Sequence, residues 1–143
     1  MSLHNTTKKI PGATLRVERT PASAIFDTGS EVSLISDRLY LKIKDVCTEI
    51  ATKRIHIATA DGINYPILGS TLVPININGV IRPGLFHVFN SLPKVDLILG
   101  IDYLEKNNIV LNLGNRTIHV GDVTPNLGTN PHHYLEKNYQ LEN

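Results

Sequence analysis

Three turn dipeptides, each set between short alternating apolar runs, constrain the chain to fold largely as antiparallel β-hairpins. Asp61-Gly62 separates Lys53-Arg54-Ile55-His56-Ile57-Ala58 from Tyr65-Pro66-Ile67-Leu68, and Asn78-Gly79 separates Val73-Pro74-Ile75-Asn76-Ile77 from Leu85-Phe86-His87-Val88. Gly114-Asn115 separates Ile109-Val110-Leu111-Asn112-Leu113 from Thr117-Ile118-His119-Val120. Asp-Gly and Asn-Gly accept the positive φ of a two-residue hairpin turn, and apolar residues at every second position give a strand one buried face.

The first third of the chain reads as strands too. Ala13-Thr14-Leu15-Arg16-Val17 alternates, Ser23-Ala24-Ile25-Phe26 is an apolar run, and Val32-Ser33-Leu34-Ile35 resumes after a turn sequence. One or two short helices are predicted. Ser36 caps a segment from Asp37 to Ile43, with an acid in its first turn. Asp96-Leu97-Ile98-Leu99 reads as a buried strand that Gly100 closes before a second helical segment, Asp102-Tyr103-Leu104-Glu105-Lys106. The reading is thus an all-β domain over residues 11–121, preceded by a leader, 1–10, and followed by a tail or linker, 122–143.

Length and composition narrow the function classes. A chain of 143 residues suits one domain with its own core. A net charge of +1 offers no basic field for a run of phosphates, so no nucleic-acid partner is expected of this domain. The one cysteine, Cys47, excludes an internal disulfide, and no Cys/His cluster has metal-ligand spacing, so neither metal nor cofactor is expected. The absence of a long apolar stretch predicts no membrane partner and a protein of a reducing, intracellular compartment.

The chemistry concentrates in Ala24-Ile25-Phe26-Asp27-Thr28-Gly29-Ser30, where an acid ends an apolar strand and is followed by small hydrogen-bonding residues. A carboxylate leaving a buried strand needs donors around it, and Thr28, Gly29 and Ser30 can provide backbone and hydroxyl groups. This segment resembles the Asp-Thr-Gly loop of aspartic proteases, in which two carboxylates share a proton and activate a water. The chain carries one Asp-Thr/Ser-Gly, since Asp61-Gly62 lacks the hydroxyl residue and Asp96 precedes leucine. The second carboxylate is therefore expected from a second copy, in a twofold homodimer.

Ile98-Leu99-Gly100, about seventy residues downstream, is similar to the apolar-apolar-Gly segment of the retropepsins. The resemblance spans residues 13–120. It implies a closed β-barrel or sandwich that is one half of a pepsin-like bilobal enzyme, with catalytic residues Asp27, Thr28 and Gly29. It further implies that Ile98, Leu99 and Gly100 support the site, that Ser30 hydrogen-bonds the outer oxygen of Asp27, and that a flap of Ala60, Asp61, Gly62 and Ile63 closes on peptide. The Ser30 bond implies an acidic optimum. The runs around Asp27 and Gly100 resemble proteases of long-terminal-repeat retrotransposons and related viral elements, which implies a polyprotein substrate and a location in the cell or in a virus-like particle. A host protein of the same fold, such as a ubiquitin-shuttle factor or domesticated element, and an inactive dimerisation module remain as alternatives. The dimer sheet has three candidate sources: N-terminal strands, the 109–120 hairpin and the tail.

Overall fold

The computed structural model describes residues 10–50, 64–90, 92 and 94–121, and the backbone of 4–5 and 56–58, with backbone alone for 64–66. In chain order the strands are β1 (His4–Asn5), β2 (Pro11–Val17), β3 (Thr20–Phe26), β4 (Leu34–Ser36), β5 (Thr48–Ile50), β6 (His56–Ala58), β7 (Asn64–Ile77), β8 (Val80–Phe89), β9 (Leu97–Leu99), β10 (Ile109–Asn112) and β11 (Thr117–Val120). Helix α1 (Asp37–Ile43) follows β4 and leads into a 3-10 turn at Lys44–Val46; helix α2 (Ile101–Lys106) follows β9.

The barrel closes through the order β2-β3-β9-β4-β8-β7, with β7 returning to β2 where Arg16 lies opposite Asn76. Closure removes most of the free sheet edge that these strands would otherwise present. Inside it, Leu15, Val17, Phe26, Ile35, Val73, Ile75, Ile77, Phe86, Leu97 and Leu99 form one continuous core, with Leu39 of α1 and Tyr103 of α2 packed into it. Each such side chain contributes roughly 1.5–3 kcal/mol relative to exposure. The Phe86 and Tyr103 rings meet with centroids 5.5 Å apart and planes inclined by 48°, within the favourable range for tilted aromatic pairs.

The hairpin turn at Asn78-Gly79 forms as its sequence predicts, with φ of 53° and 86° at the two residues and the Gly79 N–H donating to Asn76 Oδ1 at 2.8 Å. Helix α1 starts where its cap predicts, the Leu39 N–H donating to Ser36 Oγ at 3.1 Å.

Elsewhere the structure departs from the local reading. The runs at 65–68 and 73–77 belong to one strand, β7, which pairs first with β6 and then with β8, the latter pairing containing a register shift between Ile67 and Gly69. Two pairings are parallel, β3 with β9 and β4 with β8; hairpin signals encode only neighbours in sequence and carry no trace of these. Strand β5, three residues against Thr71 and its neighbours, is too short to produce a pattern. The last hairpin turns over 113–116 with the positive φ at Arg116, not at Gly114. His4 and Asn5, within the stretch read as a leader, pair with Gly12 and Pro11.

Candidate active site

Alternation along β3 sends Ala22, Ala24 and Phe26 into the barrel, which leaves Ser23, Ile25 and then Asp27 to the opposite side. Strand β9 lies between β3 and β4, parallel to the first and antiparallel to the second. Its Leu97 and Leu99 join the barrel core, whereas Ile98, together with Val32, packs against a separate cluster of Leu34, Phe89 and Leu92.

The Asp27 loop is fixed from below by this strand. The Asp27 N–H donates to the Leu99 carbonyl at 2.9 Å, the Ser30 N–H to the Asp27 carbonyl at 3.1 Å, and the Ile101 N–H to the Ser30 carbonyl at 2.7 Å. Asp27 is half-buried, and its Oδ1 accepts the Gly29 N–H at 2.9 Å. A β-carbon at residue 29 would lie 3.2 Å from that oxygen, so glycine lets the amide approach the acid closely. Thr28 and Gly29 are exposed.

Two further devices hold the loop. Gly100 is buried under it, and a β-carbon there would meet the Val32 carbonyl oxygen at 2.4 Å and the Ser30 carbonyl oxygen at 2.7 Å. Ser33, completely buried, accepts the Gly100 N–H at 2.9 Å and donates to Asp102 Oδ1 at 2.7 Å. Neither Ser33 nor Asp102 stands out in the sequence. Ser33 shows only as a polar residue within an apolar run, and Asp102 only as an acid at a helix start.

Asp27, Thr28, Gly29, Ser30, Ile98, Leu99 and Gly100 thus meet in one region. Ala60, Asp61, Gly62 and Ile63 lie outside the described residues. The Ser30 hydroxyl donates to the Val32 carbonyl at 2.7 Å in place of the expected bond to the outer oxygen of Asp27. A main-chain acceptor two residues away captures it, and the ground for an acidic optimum that rested on this bond falls with it. Asp96 is engaged structurally: its Oδ2 accepts the Ser23 N–H at 2.9 Å and the Ser23 hydroxyl at 3.2 Å. Burial pushes the Cys47 thiol up from its ordinary range, against a smaller opposing effect of Thr71, the reverse of an activated nucleophile. Among the described residues no group of three or more His, Cys, Asp or Glu side chains is gathered as metal ligands.

A closed six-stranded barrel (β2-β3-β9-β4-β8-β7) with one Asp-Thr-Gly loop braced by an apolar-apolar-Gly strand defines one lobe of an aspartic-protease fold. The sequence profile of the retroviral aspartyl proteases matches residues 3–126, and the chain belongs to that family. Among solved structures it is similar to the retroviral protease-like domain of Ddi1 from Leishmania major, with 20% identity, a TM-score of 0.64, and coverage of 80% of this chain and 90% of that one. The EIAV protease complexed with the inhibitor HBY-793 aligns with 24% identity and a TM-score of 0.53, over 72% of this chain and 92% of that one. A retropepsin-like aspartic protease from Rickettsia conorii aligns with 16% identity and a TM-score of 0.54, over 74% and 78%. At these identities the likeness establishes the fold. No curated protein sequence matches significantly.

Proposed function

We propose that the chain is an aspartic endopeptidase that works as a homodimer, with water activated between the Asp27 carboxylates of two copies. The observation that carries this reading is the single Asp27 loop, braced by backbone hydrogen bonds and Gly100 from beneath yet open at Thr28 and Gly29. One carboxylate cannot do the whole chemistry. A second, protonated carboxyl group must donate to the scissile carbonyl oxygen while the ionised one removes a proton from the attacking water. Two like charges brought close cannot both stay ionised, so a pair shares one proton and supplies both roles. With one such loop per chain, a twofold axis beside Thr28 and Gly29 completes the site.

The substrate we assign is an extended polypeptide, in the first place the polyprotein of a retroelement, on the strength of the motif resemblance around Asp27 and Gly100. The deciding experiment is cleavage of a diverse peptide pool between about pH 4 and pH 7 at high protein concentration, with Asp27→Asn as control and pepstatin as probe. Cleavage that the substitution abolishes, and whose specific activity falls on dilution, is the expected result. A folded, demonstrably dimeric protein that cleaves nothing in the pool would overturn the reading in favour of an inactive dimerisation module.

A further inference from the structure

Beyond Asp27 and its two neighbours lies a set of polar contacts, running from the buried Ser33 to Asp102, that the water-activation chemistry does not use. We propose that Ser33 and Asp102 are positioning residues for Asp27, acting as a clamp that fixes the strand β9–helix α2 junction against the catalytic loop; this rests on the protease reading above.

The Ser33 hydroxyl lies at the centre of these contacts. It has one proton to give, and with no solvent at the residue its direction is set by its partners. It gives that proton to Asp102 Oδ1 at 2.7 Å, which leaves a lone pair for the Gly100 N–H at 2.9 Å. The same Asp102 oxygen accepts the Tyr103 N–H at 2.7 Å, locking the carboxylate to the first turn of α2. A charged acceptor shared by two donors makes stronger bonds than a neutral one.

Gly100 transmits this to the loop. Its neighbours Leu99 and Ile101 hold the two ends of the catalytic turn, at the Asp27 N–H and the Ser30 carbonyl. The Val32 and Ser30 carbonyl oxygens crowd the position that a β-carbon at residue 100 would take. With the Gly100 amide released, the junction loses one of its ties, and any shift there passes to Asp27 and Ser30 through the bonds of Leu99 and Ile101. Strand β9 ends at Leu99, so the Gly100 amide is held by the Ser33 hydroxyl while its carbonyl accepts the Leu104 N–H at 3.1 Å.

The clamp also touches the rest of the barrel. The His87 N–H donates to the Ser33 carbonyl at 3.0 Å, and the His87 ring Nδ1 lies 2.5 Å from Ser70 Oγ on β7. The Asp102 charge reaches the imidazole, favouring its protonated form against the effect of burial. Replacing Asp102 by asparagine retains an Oδ1 acceptor but removes the charge, and so separates the two effects.

The test compares Ser33→Ala, Asp102→Ala and Asp102→Asn with the wild-type dimer in kcat and KM, in amide hydrogen exchange at Gly29, Ser30 and Gly100, and in the NMR titration of His87. Both alanine variants are expected to lose about tenfold to a hundredfold in kcat, the scale of a small misplacement of a reacting group. Their KM should change by less than about threefold, since no substrate contact is removed. Exchange at Gly100 should quicken in both. Asp102→Asn should restore kcat and Gly100 protection while the His87 titration moves to lower pH. A folded, dimeric Asp102→Ala variant with wild-type kcat overturns the proposal, as does an asparagine variant that stays as slow as the alanine one. Should the wild-type protein cleave nothing, the protease reading fails by itself, and the exchange measurement still decides the clamp: unchanged protection at Gly29, Ser30 and Gly100 in Asp102→Ala would sink it. If Ser33→Ala does not fold, the Asp102 pair, on an exposed residue, decides alone.

Discussion

The carbonyl oxygens of Ser30 and Val32 leave no room for any side chain at residue 100, since both would lie under 3 Å from a β-carbon there. Backbone atoms cannot rotate aside as a side chain can, so Gly100→Ala must shift the Asp27 turn or the strand beneath it. A loss of about 1–3 kcal/mol or more is expected from such overpacking, measurable by urea unfolding, and activity should fall further than stability accounts for. A Gly100→Ala protein as stable and active as wild type would mean the turn tolerates the shift. Cys47 gives a second residue-scale prediction: with its thiol raised by burial, it should react with a disulfide reagent at neutral pH much more slowly than a free model thiol, and unfolding should abolish the difference. Asp27 was legible because its chemistry is local, an acid leaving an apolar run into Thr-Gly-Ser. Ser33 and Asp102 were not, because a hydroxyl and a carboxylate separated by 69 positions acquire a role only when the chain brings them together. Ser30 marks the opposite failure: a role carried over by resemblance yielded to the acceptor nearest in space, the Val32 carbonyl.

At the scale of elements, legibility follows the range of the interactions that set them. Helix α1 is specified by its own cap and by Leu39 and Ile43 on one face, both buried, so its bounds could be read directly. Removing the cap by Ser36→Ala should cost about 1 kcal/mol, since it leaves the Leu39 N–H without its partner in a buried setting. A lowered midpoint in thermal unfolding would register this, and an unchanged midpoint would show that the helix is held by packing alone. The β7–β8 turn is equally local. Gly79 sits at φ 86°, and Gly79→Ala should lose roughly 1–2 kcal/mol through the left-handed backbone it must adopt; chemical denaturation of that single variant tests it. The parallel pairings of β3 with β9 and β4 with β8 are of another kind. They depend on the whole sheet being assembled, and they are what place Leu99 under Asp27. The runs on either side of Gly69 fall to two different hairpin signals in the sequence, whereas in the sheet they are one strand that pairs with β6 over 64–66 and with β8 from Ile67 to Ile77.

For the molecule as a whole, the buried Ser70–His87 pair makes stability depend on pH in a direction that can be worked out. Burial lowers the His87 pKa from its ordinary 6.5, and the Asp102 carboxylate opposes this less strongly. The folded state therefore holds the ring neutral under conditions where the unfolded chain already binds a proton. The stabilisation is fully present above the unfolded value near 6.5 and is lost as pH falls below it toward the folded value. It disappears on the acid side, where paired carboxylates of the proposed kind operate. His87→Gln, which cannot titrate, should flatten the decline in unfolding free energy between neutral and mildly acid pH, and an unaltered slope would assign that decline to other groups. Asp102→Asn should act in the contrary sense. Without the opposing charge the ring is held neutral more firmly, and the total stability lost on acidification grows. A shallower slope from the one substitution and a steeper slope from the other would tie the acid limit of the protein to His87 and to the Asp102 charge that acts on it.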